Sequence, residues 1–346
     1  MIGVVGATGF TGKLVSRELK KAASKFFLAA RNATALAQLS DDLDGAETRI
    51  VNVKDPSSFS ELDDCTVLIN CSGPFIDLGE PVVQSCLARK THYLDLTGEQ
   101  AFIKLVYDKY HEQAKATGIC LVPACAFEYA IGDTLGKQLF TGLPGCNQID
   151  FFYHMEGMHT SAGTRKSIIR AFSADGYQFH NGKLKKKSPA AQVKSAVIEG
   201  KNFSLVSFPA GESLMLPRHS EVQSINTYMS MQSPRVLLPL LAVMGHIFMK
   251  FAGDLLVNTV SPAYPTPEQR QSTKFIIRGT AKSSHGEKSA SISGTDPYWL
   301  TAVIVAGVAD YLAKQGCTTA GAVTPSMIAP NLIEDLITKA GCVWKD

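Results

Sequence analysis

The chain has 346 residues, of which 45% are hydrophobic and 19% charged, and its net charge is +3. This length is sufficient for two folded domains with their own cores, and the small charge excludes a nucleic-acid partner. Eight scattered cysteines without a Cys-x-x-Cys pair argue against a secreted disulfide framework and against structural zinc, so we expect a cytoplasmic protein with no metal site.

The first predicted elements are a buried strand, a glycine-rich turn and a helix. The apolar run 2–5 leads into Gly-Ala-Thr-Gly-Phe-Thr-Gly, and a helical pattern follows. Glycines let the main chain turn tightly and approach phosphate oxygens, while a helix N-terminus offers N–H groups and a partial positive charge. This context predicts a dinucleotide-binding turn, with a purely structural turn as the alternative. The turn residues expected to contact the cofactor are Gly6, Thr8, Gly9, Phe10, Thr11 and Gly12.

The second predicted strand ends in a basic residue. An NAD-binding unit usually places an acidic side chain at the end of this strand, where it binds the ribose hydroxyls. Here the apolar run 26–30 is followed by Arg31 and Asn32. A guanidinium pairs with a 2′-phosphate, whereas a carboxylate repels it. The sequence therefore predicts NADP(H), with Arg31 and Asn32 as cofactor-binding residues; a solvated arginine is the alternative.

Strand-like and helix-like runs then alternate up to residue 122, as in a doubly wound sheet. A buried strand over 66–70 leads into the loop Cys-Ser-Gly-Pro-Phe, whose residues Ser72, Gly73 and Pro74 we expect at the cofactor, because open sheets bind ligands along the carboxyl ends of their strands. The other elements predicted here are helices over 33–39, 81–89 and 99–117, a helical turn over 59–62, and strands over 48–51, 92–96 and 119–122.

From about residue 147 the pattern changes to longer strands. Runs over 149–155, 204–208 and 274–278 predict a largely antiparallel sheet, and helices are predicted over 163–172, 296–314 and 331–340. The basic run 183–187 is interpreted as a solvated loop beside an Asn-Gly turn. The fold class is therefore α/β, with a Rossmann-type doubly wound parallel sheet and a second α+β domain. The predicted domains are 1–129, joined by a C-terminal helix from about 326 to 346, and 130–325.

The longest apolar stretch, 236–249, is too short to span a bilayer, because fourteen helical residues cover roughly 21 Å. One interpretation is a buried helix of the second domain. The other is a surface segment over 236–251 that contacts a membrane or lines an apolar substrate channel. Since the first strand begins at residue 2, we expect no leader peptide; the loss of a few residues upstream is the alternative.

Candidate catalytic residues follow the fifth and sixth predicted strands, whose ends face the nicotinamide half of the cleft in such a fold. Tyr129 or a perturbed Glu128 would serve as general acid, and Asp95 is a further candidate. The sequence contains no Tyr-x-x-x-Lys pair, which excludes the short-chain dehydrogenase mechanism. The alternatives are structural: Thr97 caps a helix, Glu99 begins it, and Asp133 complements a helix dipole.

Seven short blocks in order along the chain carry a family resemblance. They begin with the glycine turn and Ala-Arg-Asn at 30–32, and continue with blocks at 70–75, 93–99, 163–167, 296–298 and 321–325. The chain resembles the saccharopine dehydrogenase-like oxidoreductases, most closely the mycobacterial trans-acting enoyl reductases.

This resemblance implies an NADP(H)-dependent oxidoreductase that transfers a hydride to or from a lipid-like enoyl, carbonyl or imine substrate. A homodimer formed through the second domain is a further interpretation. The alternative function is a non-catalytic NADP(H)-binding scaffold or lipid-surface protein, since a fold can persist without its activity.

Overall fold

The computed structural model describes residues 1–198, 200–231 and 264–346. The described chain divides into two compact units. The first contains residues 1–130 and 297–341, and the second contains residues 131–296 and 342–346.

The strands alternate with helices in the first unit and follow one another in the second. In chain order they are β1 (Ile2–Val5), β2 (Phe26–Ala30), β3 (Glu47–Ile50), β4 (Val67–Asn70), β5 (His92–Asp95), β6 (Cys120–Val122), β7 (Gln148–Glu156), β8 (Gly176–His180), β9 (Lys183–Lys187), β10 (Val193–Ile198), β11 (Lys201–Ser207), β12 (Ser224–Met231), β13 (Lys274–Ser283), β14 (Gly286–Thr295), β15 (Gly321–Ala322) and β16 (Val343–Lys345).

The α-helices of the described residues are α1 (Phe10–Lys21), α2 (Ala33–Asp41), α3 (Phe75–Arg89), α4 (Gln100–Thr117), α5 (Phe127–Gly142), α6 (Ala162–Ser173), α7 (Glu212–Met215), α8 (Pro267–Ser272), α9 (Pro297–Gln315) and α10 (Leu332–Lys339). Short 3-10 turns occupy Pro56–Leu62, Leu216–Arg218 and Pro325–Met327.

The first unit is built on a seven-stranded sheet in the order β15-β6-β5-β4-β1-β2-β3, and every strand pair is parallel. All four residues of β1 and of β4 are buried. Strands covered by helices on both faces need apolar side chains throughout, which explains their unbroken hydrophobic runs. The predicted doubly wound sheet is confirmed.

The second unit contains a mixed seven-stranded sheet in the order β10-β11-β12-β7-β13-β14-β16. Only the β12–β7 pair of this sheet is parallel, so the prediction of a largely antiparallel sheet is confirmed. Strands β8 and β9 form a separate hairpin around Asn181 and Gly182, whose φ angles of 50° and 69° suit a two-residue turn that follows the strand twist.

Two local predictions differ from the structure. The run Lys183–Lys187 is a strand rather than a solvated loop, because the Asn-Gly turn pairs it with Gly176–His180. Helix α3 begins at Phe75 rather than at Pro81, which lies inside it. The Glu99 carboxylate makes this earlier start favourable, since it accepts the first N–H groups of the helix.

Two segments lie in a different unit from the predicted one. Residues 297–325, predicted for the second domain, belong to the first unit, where α9 packs against α1 and Trp299 Nε1 donates a hydrogen bond to Glu18 Oε1 over 3.0 Å. Residues 342–346, predicted to return to the first domain, belong to the second unit because β16 pairs with β14. These long-range pairings leave no periodic signal in the sequence.

The apolar stretch 236–251 lies outside the described residues, and its predicted roles stay predictions. Among the helices that the structure describes, none combines the length and apolar character needed to cross a membrane.

The Trp299 hydrogen bond tests the placement of α9 in the first unit. Replacing Trp299 with Phe removes the indole donor and leaves the Glu18 carboxylate without it, so we expect the free energy of unfolding to fall by about 1 kcal/mol. Urea denaturation followed by circular dichroism measures this loss. Glu18→Gln retains an acceptor oxygen and should cost less; a Trp299→Phe protein as stable as the parent would contradict the placement.

Candidate active site

The glycine turn between β1 and α1 is closed by contacts that leave no room for side chains. Gly6 has a φ of +77°, and a Cβ added there would lie 2.5 Å from Ser72 Oγ. A Cβ on Gly12 would lie 2.3 Å from the Gly6 carbonyl oxygen. The Gly9 N–H donates to that same carbonyl over 2.9 Å. The turn therefore needs glycine at Gly6 and Gly12, and it brings the first turn of α1 against the end of β1.

The predicted phosphate-binding end of α1 has no capping side chain. Gly9 occupies the N-cap position, and the first helical turn contains no acidic residue. Such an N-terminus combines oriented N–H groups with a partial positive charge and suits a pyrophosphate. Of the predicted contacts, Thr8 and Thr11 are partly exposed beside it. The Phe10 ring packs edge-on against Tyr298, with centroids 5.1 Å apart.

The loop after β4 lies against the glycine turn, as its predicted role requires. The Ser72 N–H donates to Asn70 Oδ1 over 2.9 Å, and the fully buried Asn70 donates to the Tyr93 hydroxyl over 3.3 Å. The peptide bond between Gly73 and Pro74 is cis. The Asn70 side chain thus fixes the loop through the Ser72 N–H, and Ser72 lies beside Gly6.

Glu99 holds the end of this loop. Its carboxylate accepts the N–H groups of Phe75 and Ile76 over 3.0 and 3.1 Å, at the start of α3. Carboxylates stabilise helix N-termini by charge as well as by hydrogen bonding. Sequence reasoning treated Glu99 as the start of α4 and missed this contact, because the two elements are 24 positions apart and no local pattern links them.

Arg31 and Asn32 lie at the carboxyl end of β2. Arg31 is exposed, and within the described ranges no hydrogen bond or ion pair engages its side chain. Asn32 caps α2, accepting the Ala35 N–H at its side-chain oxygen over 3.0 Å. The guanidinium is therefore available to an anionic ligand, whereas Asn32 already has a structural role.

Asp95 braces the loops that follow β5 and β6. It is fully buried, and its Oδ1 accepts the N–H groups of Thr97 and Ala124, each over 2.9 Å. Burial raises the pKa of Asp95 to about 7, and the two backbone donors counteract part of that rise. Its geometry is that of a positioning residue. The Thr97 hydroxyl continues the chain of contacts by accepting the Glu99 N–H over 3.0 Å.

Glu128 and Tyr129 lie in the first turn of α5, beside the loop after β5. Tyr129 is 5% exposed, and its hydroxyl donates to the Gly98 carbonyl over 3.5 Å. Glu128 is half-buried, and burial raises the pKa of its carboxyl to about 7, while its own backbone N–H opposes the rise. Glu128 thus combines partial exposure with a proton that can leave near neutral pH, as a general acid requires.

The second unit contains buried polar pairs that sequence reasoning missed. Asp133 Oδ1 lies 2.7 Å from His219 Nε2, and Glu212 accepts a hydrogen bond from the Tyr153 hydroxyl. A Cβ on Gly132 would collide with Glu212, so glycine is required between these pairs. His154 lies 2.8 Å from the Ser230 hydroxyl. The partners of these contacts are 59 to 86 positions apart in the chain, so no local pattern in the sequence indicated them.

The fold and the glycine turn define a protein with a Rossmann-type dinucleotide-binding unit. Residues 2–122 match the family model described as the saccharopine dehydrogenase NADP binding domain. The matched residues run from β1 to β6 of the first unit, and the match confirms the resemblance and the NADP(H) cofactor that the sequence motifs indicated.

Relatives of known name agree with this assignment. The chain is 32% identical over 181 residues to a probable mitochondrial saccharopine dehydrogenase-like oxidoreductase of Arabidopsis thaliana, an alignment that covers 46% of this chain and 39% of that protein. It is 35% identical over 139 residues to a putative trans-acting enoyl reductase of Mycobacterium tuberculosis, covering 38% and 33%. The chain thus spans between a third and two fifths of the length of these two proteins.

A solved structure extends the similarity to the whole fold. The apo form of saccharopine dehydrogenase (L-Glu forming) from Saccharomyces cerevisiae superposes with a TM-score of 0.66 and covers 99% of both chains, at 12% sequence identity. At this identity the likeness concerns the fold alone. The second unit therefore has a known architectural counterpart.

Gly12 offers a direct test of the glycine turn. In a Gly12→Ala protein, the new Cβ meets backbone atoms of Gly6 and Ala7 that cannot move independently of β1. We expect NADPH affinity to fall at least tenfold, a loss of about 1.4 kcal/mol, by calorimetric titration. Gly163→Ala is the matched control, because its Cβ makes only an ordinary contact, 3.8 Å from Ser161 Oγ. Equal affinities of the two variants would contradict the predicted site.

The raised pKa of Asp95 predicts how stability depends on pH. The usual pKa of an aspartate, 3.8, applies in the unfolded chain, whereas the pKa in the folded protein is about 7. At a pH between these two values the folded protein retains a proton that the unfolded chain releases, so stability falls as pH rises through this window. Asp95→Asn retains the Oδ1 acceptor and has no proton to lose. We expect its stability relative to the parent to increase by about 1 kcal/mol per pH unit across the window and then level off, in urea denaturation. A pH-independent difference would contradict the buried protonated carboxyl.

Proposed function

We propose that this protein is an NADP(H)-dependent oxidoreductase that transfers a hydride to or from a lipid-like enoyl, carbonyl or imine substrate. The observation that carries the proposal is the position of Glu128. It lies after β6 at the same carboxyl edge of the parallel sheet that holds the glycine turn after β1. A proton donor and a dinucleotide site at one sheet edge are the two parts that hydride chemistry requires.

The chemistry assigns different tasks to the three acidic or phenolic candidates. NADPH would supply the hydride, and the carbanion or alkoxide that develops on the substrate then needs a proton. Glu128 supplies that proton because its carboxyl is partly exposed and its pKa of about 7 leaves a substantial protonated fraction at neutral pH. Asp95 is fully buried and holds the two loops, and the Tyr129 hydroxyl donates to Gly98, so neither is assigned the proton transfer.

The substrate class is supported by two sequence observations. The relative in Mycobacterium tuberculosis is named as a putative trans-acting enoyl reductase. The apolar stretch 236–251 offers side chains suited to an acyl chain. A homodimer and a peripheral membrane contact through 236–251 belong to the same proposal, because an enzyme that acts on lipid-linked substrates benefits from contact with the surface that holds them.

Arg31 tests the choice between NADP(H) and NAD(H). Its exposed guanidinium is placed to pair with a 2′-phosphate, so Arg31→Ala should weaken NADPH binding roughly tenfold or more and leave NADH binding nearly unchanged. Titration of each nucleotide into each variant measures the ratio. Arg17→Ala removes another exposed arginine, from α1, and serves as the control. An equal fall in NADPH affinity in both variants would contradict a specific contact between Arg31 and the 2′-phosphate, because it would show only a general effect of positive charge.

Glu128 tests the proposed reaction. Glu128→Gln removes the proton donor, so we expect the rate of NADPH oxidation with enoyl, carbonyl or imine acceptors to fall by roughly 10²–10⁴-fold with NADPH affinity retained. In the parent protein the reduction rate should decrease as pH rises through about 7, because the carboxyl loses its proton; the variant should lack this step. Stopped-flow absorbance follows the reaction.

Glu61→Gln is the control for this experiment, because Glu61 is exposed in a distant 3-10 turn. Nucleotide binding without turnover of any acceptor in the parent protein would contradict the enzyme and favour the non-catalytic scaffold. Equal turnover in the parent and in Glu128→Gln would support the proposed enzyme activity but contradict the role of Glu128 as proton donor.

A further inference from the structure

Three side chains with metal-binding atoms meet at the sheet edge away from the glycine turn. His92 begins β5, Cys120 begins β6, and Cys317 lies between the end of α9 and the start of β15. One ligand atom from each residue lies within 4.8 Å of the other two. Because parallel strands begin at one edge and end at the other, this cluster is separated from the cofactor side by the length of the strands.

The atoms of the cluster are in forms that a metal ion can use. His92 Nδ1 accepts the Cys120 N–H over 3.0 Å, which places a lone pair on this nitrogen. Burial lowers the pKa of His92, so the ring is neutral at physiological pH. A metal ion bound by Nδ1 would take this lone pair in exchange for a single hydrogen bond.

Both sulfur atoms face backbone carbonyls as thiol donors. The Cys120 thiol donates to the Thr319 carbonyl over 3.1 Å, and the Cys317 thiol donates to the Gly118 carbonyl over 3.5 Å. Cys120 is 1% exposed, whereas His92 and Cys317 are partly open to solvent. An ion can therefore reach the cluster from the side of His92 and Cys317.

Charge explains why this position suits a divalent cation. Burial raises the pKa of the Cys120 thiol, since an isolated thiolate is poorly solvated there. Two thiolates formed around a divalent cation would give a site without net charge, and the neutral imidazole would add none. Sulfur and imidazole nitrogen are ligands that zinc prefers, whereas magnesium and calcium require oxygen.

We propose that His92, Cys120 and Cys317 form a zinc-binding site, with a water molecule as the fourth ligand. Binding releases the two thiol protons to solvent, so affinity rises with pH. The bound ion would link the segment before β15 to the first residues of β5 and β6. These elements are distant in sequence: Cys120 and Thr319, which are in contact, are 199 positions apart. The sequence predicted no zinc because that expectation relied on closely spaced ligand pairs, which this site does not use.

Cobalt(II) is the probe for this proposal, because thiolate ligation gives it an intense near-ultraviolet charge-transfer band. The full chain, purified under reducing conditions and stripped with a chelator, is titrated with Co²⁺ and then with Zn²⁺. We expect one Co²⁺ per chain with a charge-transfer band that Zn²⁺ abolishes, and an unfolding temperature that rises with Zn²⁺. Saturation with NADPH should leave the band unchanged, since the nucleotide binds at the opposite sheet edge.

Variants distinguish this site from adventitious thiol binding. Cys317→Ser, at a partly exposed position, and His92→Gln should each lower Co²⁺ affinity at least tenfold. Cys146→Ser should leave it intact; the Cys146 thiol is buried in the second unit and also donates to a backbone carbonyl, that of Gln148. The proposal is overturned by the absence of a charge-transfer band in the parent, by a band of unchanged intensity and Co²⁺ affinity in Cys317→Ser, or by a Cys120–Cys317 disulfide that forms equally with and without Zn²⁺.

Discussion

The close approach of α1 to the turn after β1 is the constraint on which the first unit depends. The Gly12 backbone lies so near the Gly6 carbonyl that a single added carbon would overlap it, and Gly6 in turn leaves space for Ser72. This contact fixes the angle at which α1 leaves the sheet and exposes its uncapped N-terminus at the carboxyl edge. Helix α9 then packs against α1. One short turn thus sets the predicted phosphate site and the packing of a helix that arrives from near the end of the chain.

Carboxyl groups also lie at the carboxyl edge of the first sheet, and their exposure to solvent indicates which are structural and which could act in chemistry. Asp95 and Glu99 each accept two backbone N–H groups and so fix the loops after β4, β5 and β6. A carboxylate committed in this way has little capacity left for a substrate. Glu128 is partly exposed and its pKa is also raised to about 7, a combination that suits proton transfer. Asp95 and Glu128 thus share a raised pKa, and their different exposure to solvent separates their proposed roles.

Local patterns predicted the parts of the structure that local forces determine. The glycine turn, the alternation of the first unit and the turn at Asn181 and Gly182 all follow from residues within a few positions of one another. The placement of α9, the Glu99 contact with α3 and the cluster of His92, Cys120 and Cys317 depend on segments far apart in the chain. Periodicity and spacing contain no record of such pairings, because only the assembled fold brings the segments together. The basic strand Lys183–Lys187 was missed for a related reason: its charge pattern indicates solvent, while its partner strand determines its conformation.

Hydrogen–deuterium exchange of the full chain with and without NADPH tests whether the nucleotide occupies the edge formed by the glycine turn and the loop after β4. We expect slower exchange on NADPH binding for peptides that cover residues 6–12 and 71–76, with strands β7 and β13 of the second sheet unchanged. Nucleotide binding that protects neither of the first two segments, or the absence of NADPH binding, would contradict it.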